Sequence, residues 1–280
     1  MTTPVSTPVS QHNQHIGMRS PSGMSATRRA AVSTGAVALV LCVWQLSGTL
    51  KWIDPLLLPP PTEIFHTTVD ILADGYRQVS LWQHIWVSVL RATVAFVAAI
   101  VAGIPLGLAM GLSQPVSAVL EPFVQFLRPL PKIALIPLTV VWFGIDEGSK
   151  FFLIFISCFL SVVVSAAAAA VGVSKNRVRA AQTLGANRYQ VFTRVVLPNA
   201  LPEIFTGVRL SIGIGWTSLI AAEMVAANSG LGWMVINAGT YLRTDVVMLG
   251  ILLLGGIGYL FDLALVLLQR AVVPWAGRDA

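Results

Sequence analysis

Arg91, Arg209, Glu223 and Asp262 of this 280-residue chain lie in apolar context. In an apolar medium such groups face protein or water and take a partner, and they mark ion pairs, gates or substrate pathways. Glu223 follows Trp216 by seven residues, which places both on one face of a helix. Glu223 reads either as half of a structural ion pair or as a gate, and Arg91, Trp216 and Glu223 form a candidate gate or pathway set. Arg209 and Asp262 are expected near the inner ends of their runs, where side chains snorkel toward water. The histidines His12, His15, His66 and His84 all fall outside the expected spans, so no intramembrane histidine cluster is expected for metal or acid–base chemistry. No Gly-rich loop ends in Gly-Lys-Ser/Thr, so ATP chemistry would need another chain. Cys42 and Cys158 lie in apolar runs and read as buried thiols, not as a disulfide or metal framework.

A second cluster lies in a polar stretch. From Arg179 to Pro198 the chain reads RAAQTLGANRYQVFTRVVLP. Val178 to Leu184 favours a short helix, and Gly185 supplies the left-handed residue that ends it. Asn187 can cap a second helix, with Gln190 three residues on as its reciprocal partner. Leu197-Pro198 is expected to close that helix. The product is two short helices meeting at a glycine, small on one side and basic on the other, a shape suited to docking into a groove of another protein.

Composition says what must hold these residues. The chain is 55% hydrophobic and only 11% charged, where a soluble domain carries about 25% charged residues. The bilayer is the solvent such a chain needs. The net charge of +6 does not indicate nucleic acid, because Lys and Arg sit at the ends of apolar runs, not on one polar face. Six spans are expected, over residues 30–50, 86–112, 118–143, 150–172, 201–226 and 246–270. Pro129, Pro131 and Pro137 interrupt the third. Residues 1–29 are Ser-, Thr-, Pro- and Gln-rich and are expected to form a disordered tail, with another tail over 273–280.

Charge orients the spans. Arg19, Arg28 and Arg29 precede the first, and Lys175, Arg177, Arg179, Arg188 and Arg194 occupy the loop at 173–199 without an acid. Asp54, Glu63, Asp70, Asp74, Asp146 and Glu147 fall in the alternate loops. Basic short loops stay in the cytoplasm, so both termini are expected inside. Pro59-Pro60-Pro61 forces an extended lead into the outer segment. Thr62 can cap a helix there with Ile64, Thr68, Ile71 and Leu72 on one face, lying in the interface or packed on the spans. Ala99, Gly103, Gly107 and Gly111 recur every four residues in the second span, as do Gly207, Ser211 and Gly215 in the fifth. Together with Ala166 to Ala170 they allow close helix packing.

The order Ala180-Ala181, Gly185, Val195, Leu197-Pro198 resembles the EAA loop of ABC-type import permeases, with Arg179 where that loop usually has Glu and Val195 where it has Ile. The likeness extends over nearly the whole chain after residue 50. Leu58-Pro59-Pro60-Pro61, Leu81-Trp82-Gln83-His84, Trp142-Phe143-Gly144-Ile145, Ala221-Ala222-Glu223 and Thr244-Asp245-Val246-Val247 are similar to the taurine, alkanesulfonate and nitrate branch, and the Pro274-Trp275 ending leans toward its taurine member.

The resemblance implies an all-α polytopic protein of the type I importer permease fold, with a core over 86–272 preceded by a first span and periplasmic segment over 30–85. It implies a bacterial inner-membrane subunit that pairs with a second copy of itself, two ATP-binding-cassette ATPases and a periplasmic substrate-binding protein. ATP and magnesium would bind the ATPase, leaving no cofactor in this chain. The loop would insert into a cleft of the ATPase, which gives Arg179, Ala180, Ala181, Gly185, Ala186, Val195, Leu197 and Pro198 a coupling role, with the contact at Arg179 altered. Taurine is the expected cargo, with alkanesulfonates or nitrate as alternatives. An ion-coupled secondary transporter is the rival class, but no repeat relates the halves and acids are too few for a proton relay.

Overall fold

The computed structural model describes residues 26–276. The tail expected over 1–29 lies outside the described residues up to position 25, and its last residues already belong to the first helix. Among the described residues the regular structure is helical, with one isolated bridge between Tyr76 and Val79. α1 (Ala26–Thr49) is followed by α2 (Pro61–Asp74), α3 (Leu81–Leu112) and α4 (Gln114–Leu127). A 3-10 turn (Lys132–Leu135) leads into α5 (Ile136–Phe143) and then α6 (Glu147–Gly172). The loop helices α7 (Lys175–Thr183) and α8 (Arg188–Val191) precede α9 (Leu197–Ala226), α10 (Leu231–Thr240) and α11 (Thr244–Val272).

Among the described residues, five helical segments are long and apolar enough to cross a bilayer. The third expected span is not one helix: α4 and the Lys132–Phe143 segment meet at a 91° bend. Pro129 and Pro131 cannot donate backbone hydrogen bonds, so the helix gives way there. Lys132 repairs the exposed end, its Nζ donating to the carbonyls of Leu127 (2.9 Å), Arg128 (3.0 Å) and Leu130 (2.9 Å). The pair still makes one crossing, because α3 and α6 run parallel. Arg91 meets Glu147 at one end of their contact, and Gly107 and Gly111 lie against Val163 and Ala167 at the other. The chain between two parallel helices must return, which gives six crossings.

α3, α6 and α9 form the packed centre. The small residues expected to allow close approach do so: Ala99, Ala166, Ala169 and Ala170 are buried, and a Cβ on Gly107 would stand 2.7 Å from that of Ala166. α1 stands at the periphery with most of its surface exposed. The outer segment is a helix packed on α11, burying Ile64, Thr67 and Ile71, with Thr67 Oγ1 donating to Asp245 (2.8 Å). Thr68 is only half-buried and Leu72 is exposed, so the inner face is narrower than the sequence pattern suggested. Thr62 is not the cap. Pro60 holds that position, and Thr62 instead exchanges hydrogen bonds with Gln45 of α1 (3.1 and 3.2 Å). Phe65, Val69 and Leu72 face outward and give α2 a second apolar side.

Candidate functional site

The loop between α6 and α9 folds largely as its residues dictate. After α7, Gly185 adopts φ +82°. Its N–H donates to Gln182 O (3.0 Å) and that of Ala186 donates to Ala181 O (3.1 Å). This nested pair of bonds closes a helix on a left-handed residue. Asn187 then caps α8, accepting from Gln190 N–H (2.9 Å) while Gln190 Oε1 accepts from Asn187 N–H (2.9 Å). Both halves of the capping box are present.

Leu197-Pro198 does not close this second helix. The chain runs on through a π turn (Phe192–Val196) directly into α9. Leu197 N–H bonds five residues back to Phe192 O, and the widened turn makes room for a proline ring that would clash in a regular helix. The loop is therefore a rigid extension of the fifth span. Pro202 leaves the Pro198 carbonyl without its helical donor, and Trp275 Nε1 supplies one (3.2 Å), tying the C-terminal segment to this elbow. Arg177 donates to Asn199 Oδ1, and Asn199 Nδ2 donates to Val195 O (2.6 Å), which fastens α7 to the same turn.

Arg179, Ala180 and Gly185 are exposed, Ala181, Ala186, Val195, Leu197 and Pro198 half-buried. The residues that protrude furthest were not singled out from sequence. Leu184 is 88% exposed and Tyr189 74% exposed, on either side of Gly185. The signal available was their type and place: two large apolar side chains flanking the glycine, in the stretch 179–190 that is otherwise small, polar or basic.

At the opposite end of α9 the geometry is closed. Glu223 is 0% exposed. Its carboxylate accepts from Arg91 Nη1 (2.8 Å), Ser88 Oγ (2.8 Å) and Gly232 N–H (2.9 Å). It lies over the first turn of α10, where free amides and the helix dipole favour an anion. Arg91 also donates to Ser229 O (2.7 Å) and to both oxygens of Glu147 (2.6 Å each). Glu147 in turn pairs with Lys150 (3.2 Å). His84 joins the same cluster. It opens α3 and is fully buried, inside a span and not outside one as expected. Gly230 N–H donates to its Nδ1 (3.1 Å), and the ring stacks on Trp233 at 5.6 Å. The network ties α3, α6, α9 and α10 together with every buried polar group among the described residues satisfied.

Of the candidate gate set, the structure brings Arg91 and Glu223 together and leaves Trp216 apart. Trp216 is buried against Phe261, its Nε1 donating to Leu254 O (3.2 Å). Arg209 and Asp262 do not snorkel separately. They form a two-pronged pair (2.8 and 2.9 Å) between α9 and α11. Arg209 lies twelve residues into α9, about 18 Å from its start. The side chains are 35% and 46% exposed, so the pair lines a surface.

An all-helical bundle of six crossings, with a preformed two-helix knuckle between the fourth and fifth, defines a transporter's membrane subunit. The family of binding-protein-dependent transport system inner membrane components matches residues 99–278, and the chain belongs to it as an ABC importer permease. Among its relatives, a taurine transport system permease of Escherichia coli (strain K12) is 45% identical over 95% of this chain and 96% of its own. A putative aliphatic sulfonates permease of the same organism is 38% identical over 84% and 88% of the two chains. A nitrate import permease of Synechocystis is 30% identical over 85% and 88%. The fold matches the inward-facing methionine ABC transporter with a TM-score of 0.59 at 20% identity, over 69% of this chain and 95% of the other.

Proposed function

We propose that this chain is the translocation subunit of a taurine importer of the bacterial inner membrane, with both termini in the cytoplasm. Two copies enclose a pathway, each docked through residues 173–199 on an ATPase subunit that performs the hydrolysis. A secreted binding protein delivers the cargo to the outer face. ATP-driven closure of the ATPases moves the two knuckles, and α9 carries that movement into the membrane. The carrying observation is the knuckle itself: Leu184 and Tyr189 protrude from a loop locked by Gly185 and the Asn187–Gln190 box, and the loop continues as the span. Exposed large apolar side chains on a rigid base are what an anchor into a partner's groove requires. Taurine is supported by the 45% identity to a taurine permease across almost the whole chain.

Growth tests the cargo. A strain lacking this gene should fail on taurine as sole sulfur source and recover when the gene is restored. Normal growth on taurine, with failure on longer alkanesulfonates or nitrate, would move the cargo to those relatives.

A further inference from the structure

The break in the third span places an unpaired cation at half depth. Arg128 is exposed, and its guanidinium makes no hydrogen bond or ion pair among the described residues. It lies fourteen residues after the start of α4, about 21 Å along that crossing. Arg128 lines a cleft of about 390 Å³ between the break, α6 and α9. The polar residues of that cleft are Arg128, Lys132, Ser161, Ser165 and Ser211, with no acid among them. Ser161 and Ser211 are each fourteen residues into their own helices. Three elements therefore put this cleft near the middle of the bilayer.

The two cations have different tasks. The Lys132 ammonium gives three hydrogen bonds to the carbonyls of Leu127, Arg128 and Leu130. An ammonium has three donors, so Lys132 is spent on holding the break, while its charge still acts on the cleft. All five guanidinium donors of Arg128 remain free. The nearest acid on α4 is Glu121, two turns away and held by Ser117 (3.3 Å) and Gln125 (2.8 Å). A bare guanidinium against lipid at this depth is strongly disfavoured, so the group faces water or an anion. It is too deep to snorkel. Arg209, at a similar depth on the other side of α9, shows the alternative, since Asp262 occupies its fork.

We propose that Arg128 forms a transient anion site for the cargo, its guanidinium taking two oxygens of a sulfonate, or another small oxyanion, as the cargo crosses. Lys132 supplies background positive potential, and the Ser165 hydroxyl supplies a further donor, those of Ser161 and Ser211 being given to the carbonyls of Ser157 and Gly207. Arginine's planar fork suits such a group, and water exposure keeps the binding weak enough for release. The inference rests on the small-oxyanion cargo of the proposed function.

The test uses the permease reconstituted with its ATPase and binding protein in liposomes. Arg128→Gln should lower taurine uptake at least about tenfold, as expected for losing charge-assisted hydrogen bonds. Co-purification of the ATPase and basal ATP hydrolysis should be retained, and Arg128→Lys should fall between. Wild-type uptake by Arg128→Gln overturns the proposal. So does loss of assembly in both variants, which would assign Arg128 a structural role. Independently of cargo, Arg128→Cys in a Cys42→Ser, Cys158→Ala background should react with a water-soluble anionic thiol reagent. Absence of reaction with and without ATP would place the position in lipid and overturn the site. If the wild-type complex carries nitrate but not taurine, the taurine reading fails while Arg128→Gln is scored on nitrate. Transport only of a solute that carries no sulfonate or other oxyanion group would overturn both.

Discussion

Glu223 lies near the end of the continuous helix Arg188–Ala226 and Gly185 three residues before its start, and their surroundings differ in kind. Around Glu223, four helices meet, every buried side-chain nitrogen and oxygen is paired, and Glu223 and Arg91 are shielded from water while Glu147 faces it. Around Gly185, two short helices meet in the open, and the large side chains point outward with nothing from the described residues covering them. The first arrangement resists change because removing one member leaves buried hydrogen-bonding groups without a partner. The second is stabilised locally by capping, so it keeps its shape while it waits for a partner. The proposed coupling would use both: a firm clamp at one end against which α9 moves, and a firm handle at the other through which it is moved.

Breaking the handle should have the largest effect. Gly185→Val places a β-branched residue at φ +82°, where the left-handed conformation costs about 1–2 kcal/mol and the loop is expected to refold. Uptake should fall to background while membrane insertion is unchanged, measured by transport and by membrane fractionation. Uptake at the wild-type rate would mean that the knuckle does not transmit ATP-driven movement.

Breaking the clamp should act on stability. Glu223→Ala leaves Arg91 paired with Glu147 and strands the Gly232 N–H and the Ser88 O–H. About 1–3 kcal/mol of lost stability is expected for each buried donor left unsatisfied. Thermal unfolding in detergent reads this. A melting point equal to wild type, with uptake abolished, would instead give Glu223 a pathway role.

Smaller effects sharpen the contrast. Leu184→Ala should weaken association with the ATPase by about tenfold, the size expected of an interface anchor, without moving the melting point. Unchanged affinity would shift the anchor to Tyr189. Trp275→Phe removes one hydrogen bond, from Nε1 to Pro198 O. It should cost about 0.5–1.5 kcal/mol, seen as a small drop in melting temperature. A large loss of uptake from it would make the C-terminal segment part of the moving elbow.

The sequence disclosed what is local and hid what is distant. The glycine stop and the Asn187–Gln190 box are legible because each is settled within six residues. The spans are legible because apolar runs of that length have few other uses. By contrast, Glu223 finds Arg91 across 132 residues, and Arg209 finds Asp262 across 53. Periodicity does not give such pairings, so each charge was open to a separate explanation. Pro198 was misleading for another reason. A proline stops a regular helix, but one π turn restores the path, and that turn has no sequence signature of its own. His84 fell outside the expected span because α3 begins five residues before its predicted start. The bend at Arg128 was foreshadowed by three prolines, yet its consequence depends on α6 and α9 arriving at the same depth.

The central claim is that the knuckle is where the ATPase grips this chain. A photo-reactive amino acid at Leu184, illuminated in membranes containing the whole complex, tests it most directly. The account predicts a cross-link from position 184 to the ATPase subunit and none from a matching probe at Phe65 on α2. A cross-link from Phe65 and silence at Leu184 would contradict it.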